Sequence, residues 1–171
     1  ERWKVLIGKM MVIVTAGLST AVLSLIDLRL SLRLADSELG GLIDVVINLV
    51  SPASIAALLV MLLPLVVFFA GLMIPATVYA KSFKEASSIL QPLNFVVILP
   101  AVIGMMPGIE LNAFTGAIPI LNVVLATKEL TAGTMNPLLF LEVVIALLVF
   151  AAVAVLVSFK RFGNEKNILR N

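Results

Sequence analysis

The 171-residue chain contains neither histidine nor cysteine. Disulfides, thiolate nucleophiles, haem attachment and zinc sites built on imidazole or thiolate are therefore excluded. A Ser-His-Asp triad is excluded as well, and so are intramembrane metalloproteases that need histidine ligands. Charge is scarce: Asp, Glu, Lys and Arg make up 13% of the residues, against about 25% in soluble domains. The net charge of +2 is too small a bias for nucleic-acid binding. No G-x-x-x-x-G-K-[ST] loop occurs, so the chain supplies no Walker-type nucleotide site and no ATP-hydrolysing motif of its own.

What the chain has is apolar length: 61% hydrophobic residues and a mean hydropathy of +1.18. A soluble fold of this composition would expose large apolar patches, which soluble monomers avoid. The expected fold class is therefore an all-α membrane protein, a single transmembrane domain. Charge-free runs place four spanning helices at about residues 5–27, 53–80, 88–106 and 137–160, each near the roughly 20 residues that a bilayer core requires. The runs are too long and too uniformly apolar for barrel strands. A further stretch, 111–127, has 17 uncharged residues but is broken by Asn112, Gly116, Pro119 and Asn122. It predicts a re-entrant or interfacial outer element over about 107–134, since irregular backbone at membrane depth must be buried in protein or line a cavity.

Basic residues predict the orientation. With the N-terminal end inside, nine of the twelve (Arg2, Lys4, Lys9, Lys81, Lys84, Lys160, Arg161, Lys166 and Arg170) fall on the cytoplasmic side. Arg29, Arg33 and Lys128 stay outside. This split predicts both ends in the cytoplasm. The start at Glu1, with no signal peptide ahead of the first apolar run, predicts a piece of a longer chain. Beyond Asp27 the first helix is expected to continue into the headgroups with Arg29 and Arg33 snorkelling. A short interfacial helix carrying Asp44 and Asn48 is expected after Gly40-Gly41.

Few residues inside the spans can carry chemistry. Glu142 is the one ionisable residue well within an apolar run. A carboxylate at mid-bilayer costs roughly 2.5–3.5 kcal/mol on insertion scales. At about 7.5 Å below the helix start, it either faces a pathway as a cation or proton contact, or snorkels and pairs with a group such as Lys128. Gln91 and Asn94 sit in the third run beside Pro92 and Pro100, where amides glue helices together or line a route. Pro64 and Pro75 mark places where the second span can kink. In the turn 81–88, Phe83 lies between Lys81 and Lys84. It is either part of a plain connecting loop or an apolar anchor for a cytosolic partner. The seven methionines, Met105-Met106 among them, read as adaptable core filler.

The order of these parts resembles a known family. Glu1-Arg2-Trp3-Lys4-Val5-Leu6-Ile7-Gly8-Lys9 leads into the first span, and Ala80-Lys81-Ser82-Phe83-Lys84-Glu85-Ala86 follows the second. Then come Pro92-Leu93-Asn94-Phe95-Val96-Val97-Ile98-Leu99-Pro100-Ala101, Pro107-Gly108-Ile109-Glu110-Leu111-Asn112 and Ile118-Pro119-Ile120-Leu121-Asn122. Together they resemble the permease subunit of type-2 ABC exporters, most closely its NatB sodium-efflux branch. The chain looks like spans three to six of that family's six, and the specific part of the likeness runs from 80 to 122.

The resemblance implies an ATP-driven exporter in which two permease subunits, identical or different, face each other in a prokaryotic plasma membrane. A cytosolic ABC ATPase beneath each would hold the ATP and magnesium, and this chain would bind no cofactor. It implies ATPase coupling through Trp3, Lys81, Phe83 and Lys84, and a pathway or outer gate at Asn94, Asn112, Asn122 and Glu142. No catalytic residue and no metal ligand are expected. Sodium is the substrate that the branch implies. Two other functions fit the same composition: a four-span assembly or scaffold protein, and a secondary ion transporter using Glu142.

Overall fold

The structure, a computed structural model, describes residues 2–39, 51–77 and 80–163. Among these the regular elements are all helical: α1 (Arg2–Leu39), α2 (Pro52–Thr77), α3 (Phe83–Met105), α4 (Ala113–Gly116), α5 (Leu121–Ala132) and α6 (Pro137–Gly163). The side chains of Trp3, Arg29, Arg33 and Arg161, the segment carrying Asp44 and Asn48, and the tail with Lys166 and Arg170 lie outside what is described.

Four helices are long and apolar enough to cross a membrane: Lys4–Asp27 within α1, α2, α3, and Pro137–Lys160 within α6. The 38 residues of α1 rise about 57 Å at 1.5 Å per residue, well beyond a hydrocarbon core of about 30 Å. The first helix thus continues past Asp27 as its sequence implies. The third begins at Phe83, five residues earlier than the charge pattern places it. Its first turn is made by capping rather than by hydropathy, so the charged Lys84 and Glu85 belong to the helix. Pro64, Pro75, Pro92 and Pro100 all lie inside continuous helices. Each removes one backbone donor, a loss that membrane helices tolerate when neighbouring groups compensate.

The centre of the molecule is the α2–α6 pair, the most extensive contact between helices. Its contacts advance together along both chains. Met61 packs in one cluster with Val143 and Leu147, Phe68 meets Phe150 edge-on at 6.0 Å, and Gly71 lies against Ala154. The two helices therefore run parallel. At the last of these contacts a Cβ on residue 71 would stand 2.8 Å from the Ala154 carbonyl carbon. Only a glycine permits that approach, the small-residue contact by which membrane helices pack closely.

Helix α1 runs antiparallel to α2, as its contacts show: Leu6 and Met10 share a cluster with Ala70 and Ile74, and Gly17 faces Val66. By contrast α3 buries only Gly104, and leans chiefly on α5 and α2. Val12, Leu23, Phe95, Leu99, Val149 and Leu156 are more than half exposed. In water such a surface would drive association; in a bilayer it is the face that meets acyl chains.

Candidate functional site

Between α3 and α6 the chain folds as a short helical hairpin that carries Asn112 and Asn122, with Glu142 of α6 packed beside it. Pro107-Gly108 turns the chain, with Gly108 at φ 85°, a conformation open to glycine. Asn112 then caps α4: its Oδ1 accepts from the Phe114 and Thr115 amides at 2.9 and 3.0 Å. The Asn112 amide donates to Thr115 Oγ1 at 2.8 Å, completing a reciprocal capping box. Asn112 is itself exposed, and its amide oxygen is spent on holding α4.

Gly116, the last residue of α4, is the hub of the corner. Its carbonyl accepts from Asn122 Nδ2 at 3.0 Å. A Cβ on it would stand 3.7 Å from the carboxyl carbon and Oε1 of Glu142. Asn122 is completely buried, and its Oδ1 has no hydrogen-bond donor. Glu142 is half-buried. The two residues thus come from α5 and α6 to one glycine. Between Gly116 and Asn122 the backbone turns at Ile120, whose φ of 74° and ψ of −54° are adopted rarely by a β-branched residue. Such a conformation costs on the order of 1–3 kcal/mol and persists where surrounding contacts over-determine it. Here the buried Ile120 side chain supplies the contacts.

Lys128 does not reach Glu142 as one reading of the sequence has it. Its Nζ donates to the Ile109 carbonyl at 3.4 Å, tying α5 back to the first leg of the hairpin. These legs enclose an open cleft of about 220 Å³ lined by Ile109, Glu110, Leu125, Lys128, Glu129 and Thr134. The hairpin ends at Gly133, in the left-handed region at φ 71°, whose amide caps the α5 carbonyls.

Asn94 does not join this corner. It is exposed on α3, as is Gln91, and neither bonds another helix among the described residues. The turn before α3 is well ordered by its own hydrogen bonds. Ser82 Oγ accepts from the Glu85 amide at 3.2 Å, and Glu85 Oε2 accepts from the Lys81 amide at 2.8 Å. This places Phe83 on the first residue of a capped helix, 89% exposed, flanked by the exposed Lys81 and Lys84.

The far end of α3 touches the hairpin directly. A Cβ on Gly104 would meet Val124 Cγ1 at 2.8 Å and Leu121 Cδ1 at 3.2 Å. One helix of 23 residues, about 34 Å long, therefore joins the exposed Phe83 to the packed corner. Reading the sequence missed Gly116 and Gly104, because close approach between helices leaves no mark in the chain. Ser82 and Glu85 had a signal, the S-x-x-E spacing of a helix start. Among the described residues no three Asp, Glu, His or Cys side chains are grouped to hold a metal ion. Comparisons with protein-family models, with curated proteins and with solved structures find no match to this chain.

Proposed function

We propose that the chain is a membrane-spanning permease subunit of an ATP-driven exporter of the type-2 ABC class, with its energy supplied by a separate cytosolic ATPase. The observation that carries this reading is the path along α3. An exposed aromatic on a rigid capped turn stands at one end, and a hairpin of broken helices packs against the other. A push on Phe83 by an ATPase would move Gly104, and with it Leu121 and Val124 at the start of α5. In this scheme Lys81 and Lys84 rim the docking point, and the hairpin with Asn112, Asn122 and Glu142 forms the gate on the opposite side.

The exposed face of α3 fits the same scheme. Gln91 and Asn94 are exposed amides with no partner among the described residues, on a helix that is apolar from Phe95 onward. A second permease subunit facing this one would cover them, and amide pairs across membrane helices are worth about 0.6 kcal/mol each. Sodium is the first substrate to test, on the strength of the sequence resemblance.

The test is reconstitution of the full-length protein with its co-purifying ATPase in liposomes. ATP hydrolysis stimulated by sodium or another candidate substrate, and reduced by Phe83→Ala, is the expected result. Repeated purification without any ATPase, or ion-gradient-driven flux that needs no ATP, would overturn it.

A further inference from the structure

The corner at Gly116 holds a hydrogen-bonding problem that the described residues do not solve. Asn122 is fully buried, and its Nδ2 is committed to the Gly116 carbonyl. Turning the amide over would aim its oxygen at that carbonyl, so Oδ1 needs a donor of its own. It finds none. The Glu142 carboxyl also lies beside Gly116, 3.7 Å from where a Cβ on that residue would stand, and when ionised it only accepts. Two acceptors cannot satisfy each other. A buried acceptor left without a donor is costly, and buried waters characteristically settle in such places, making about three hydrogen bonds to otherwise unsatisfied groups.

We infer that one internal water occupies the corner between Asn122, Gly116 and Glu142, donating one hydrogen to Asn122 Oδ1 and the other to the Glu142 carboxylate. This water ties the hairpin to α6: it joins a side chain of α5 to a side chain of the last span around the end of α4. It also gives Glu142 a role that Lys128 does not fill, since Lys128 is turned to Ile109. Gly116 leaves room that a methyl group would take up, since a Cβ there would lie at contact distance, 3.7 Å, from the carboxyl. The inference stands apart from the transport reading and holds whether or not the chain moves a solute.

The experiment uses the full-length protein in lipid nanodiscs. Brief X-ray radiolysis generates hydroxyl radicals from bound water, which label the side chains beside it. Leu111 lies next to Gly116 and is buried, as is Leu147 in the same cluster. Leu111 is expected to label several-fold faster than Leu147, and Gly116→Ala is expected to abolish the difference. That variant is sterically mild, with its nearest neighbours at 3.7 Å, so it keeps the fold. Equal labelling of the two leucines in the unaltered protein would overturn the assignment.

A double-variant cycle in unfolding midpoint gives the second readout, with Asn122→Ser and Glu142→Leu. The double variant is expected to differ from the sum of the singles by about 2–4 °C, the shift that a bond of ordinary strength produces in a protein this size. Strict additivity would mean that nothing joins the two residues. Replacing sodium by N-methylglucamine at fixed ionic strength is expected to leave the midpoint unchanged. A midpoint that follows sodium would place a cation in the corner instead, and the water assignment would fall.

Discussion

Gly71 and Ala154 meet where α2 and α6 touch backbone to backbone. The Ala154 carbonyl carbon lies 2.8 Å, its Cβ 2.9 Å and the Val155 nitrogen 3.0 Å from where a Cβ on residue 71 would stand. Backbone cannot rotate aside as a side chain does. Gly71→Ala is therefore expected to force the two helices apart and to cost about 1–3 kcal/mol, despite the better helix propensity of alanine. Thermal unfolding in detergent, followed by circular dichroism, checks this.

Gly104 provides the contrast. Its nearest obstacles are Val124 Cγ1 at 2.8 Å, Val124 Cβ at 3.1 Å and Leu121 Cδ1 at 3.2 Å, all side-chain atoms and none of them backbone. Gly104→Ala is expected to cost less than Gly71→Ala in the same assay. On the proposed function, it should also weaken the response of the hairpin to ATP, read as lower substrate-stimulated ATPase activity with basal hydrolysis retained in the reconstituted complex.

Ser158 is fully buried on α6 with a hydroxyl that has no hydrogen-bond partner. Ser158→Ala removes that unpaired group at almost unchanged volume. The expected outcome is an unchanged or higher unfolding midpoint, with a gain of up to about 1 kcal/mol. A loss of more than that would show that the hydroxyl is engaged in the membrane.

Phe83 and Ser82 separate partner binding from stability. Phe83 touches little of its own chain, so Phe83→Ala is expected to leave the unfolding midpoint unchanged and, if the proposed function holds, to weaken capture of an ATPase. Ser82→Ala removes the side-chain cap of α3 and is expected to cost about 0.5–2 kcal/mol. The two variants thus separate in a stability assay run beside a pull-down.

The absence of cysteine makes the orientation directly testable. Lys81→Cys and Thr134→Cys place single thiols at exposed positions flanking α3 and the hairpin. With both chain ends cytoplasmic, an impermeant maleimide added to whole cells is expected to label residue 134 and spare residue 81. The reverse pattern would invert the topology.

The sequence disclosed most of the spans because long apolar runs have few other places to go. It drew the start of α3 too late, since hydropathy treats Lys84 and Glu85 as loop while Ser82 and Glu85 cap a helix that includes them. The broken character of 107–134 was legible from its prolines, glycines and asparagines. Which asparagine would be buried was not. Asn94 and Asn122 look alike in the chain, yet one lies on a helix that its own chain leaves uncovered and the other is shut beneath α4. That difference is decided by which helices pack together, and the deciding residues, Gly71, Gly104 and Gly116, are silent until their neighbours are seen.

The thin anchorage of α3 bears on how this protein responds to its lipid. A span held by its own chain chiefly near Gly104 adjusts its tilt to hydrocarbon thickness more freely than one wedged in a bundle, at a cost of fractions of a kcal/mol per Å of mismatch. Because Gly104 rests on Leu121 and Val124, any change in that tilt would be felt first at the start of α5.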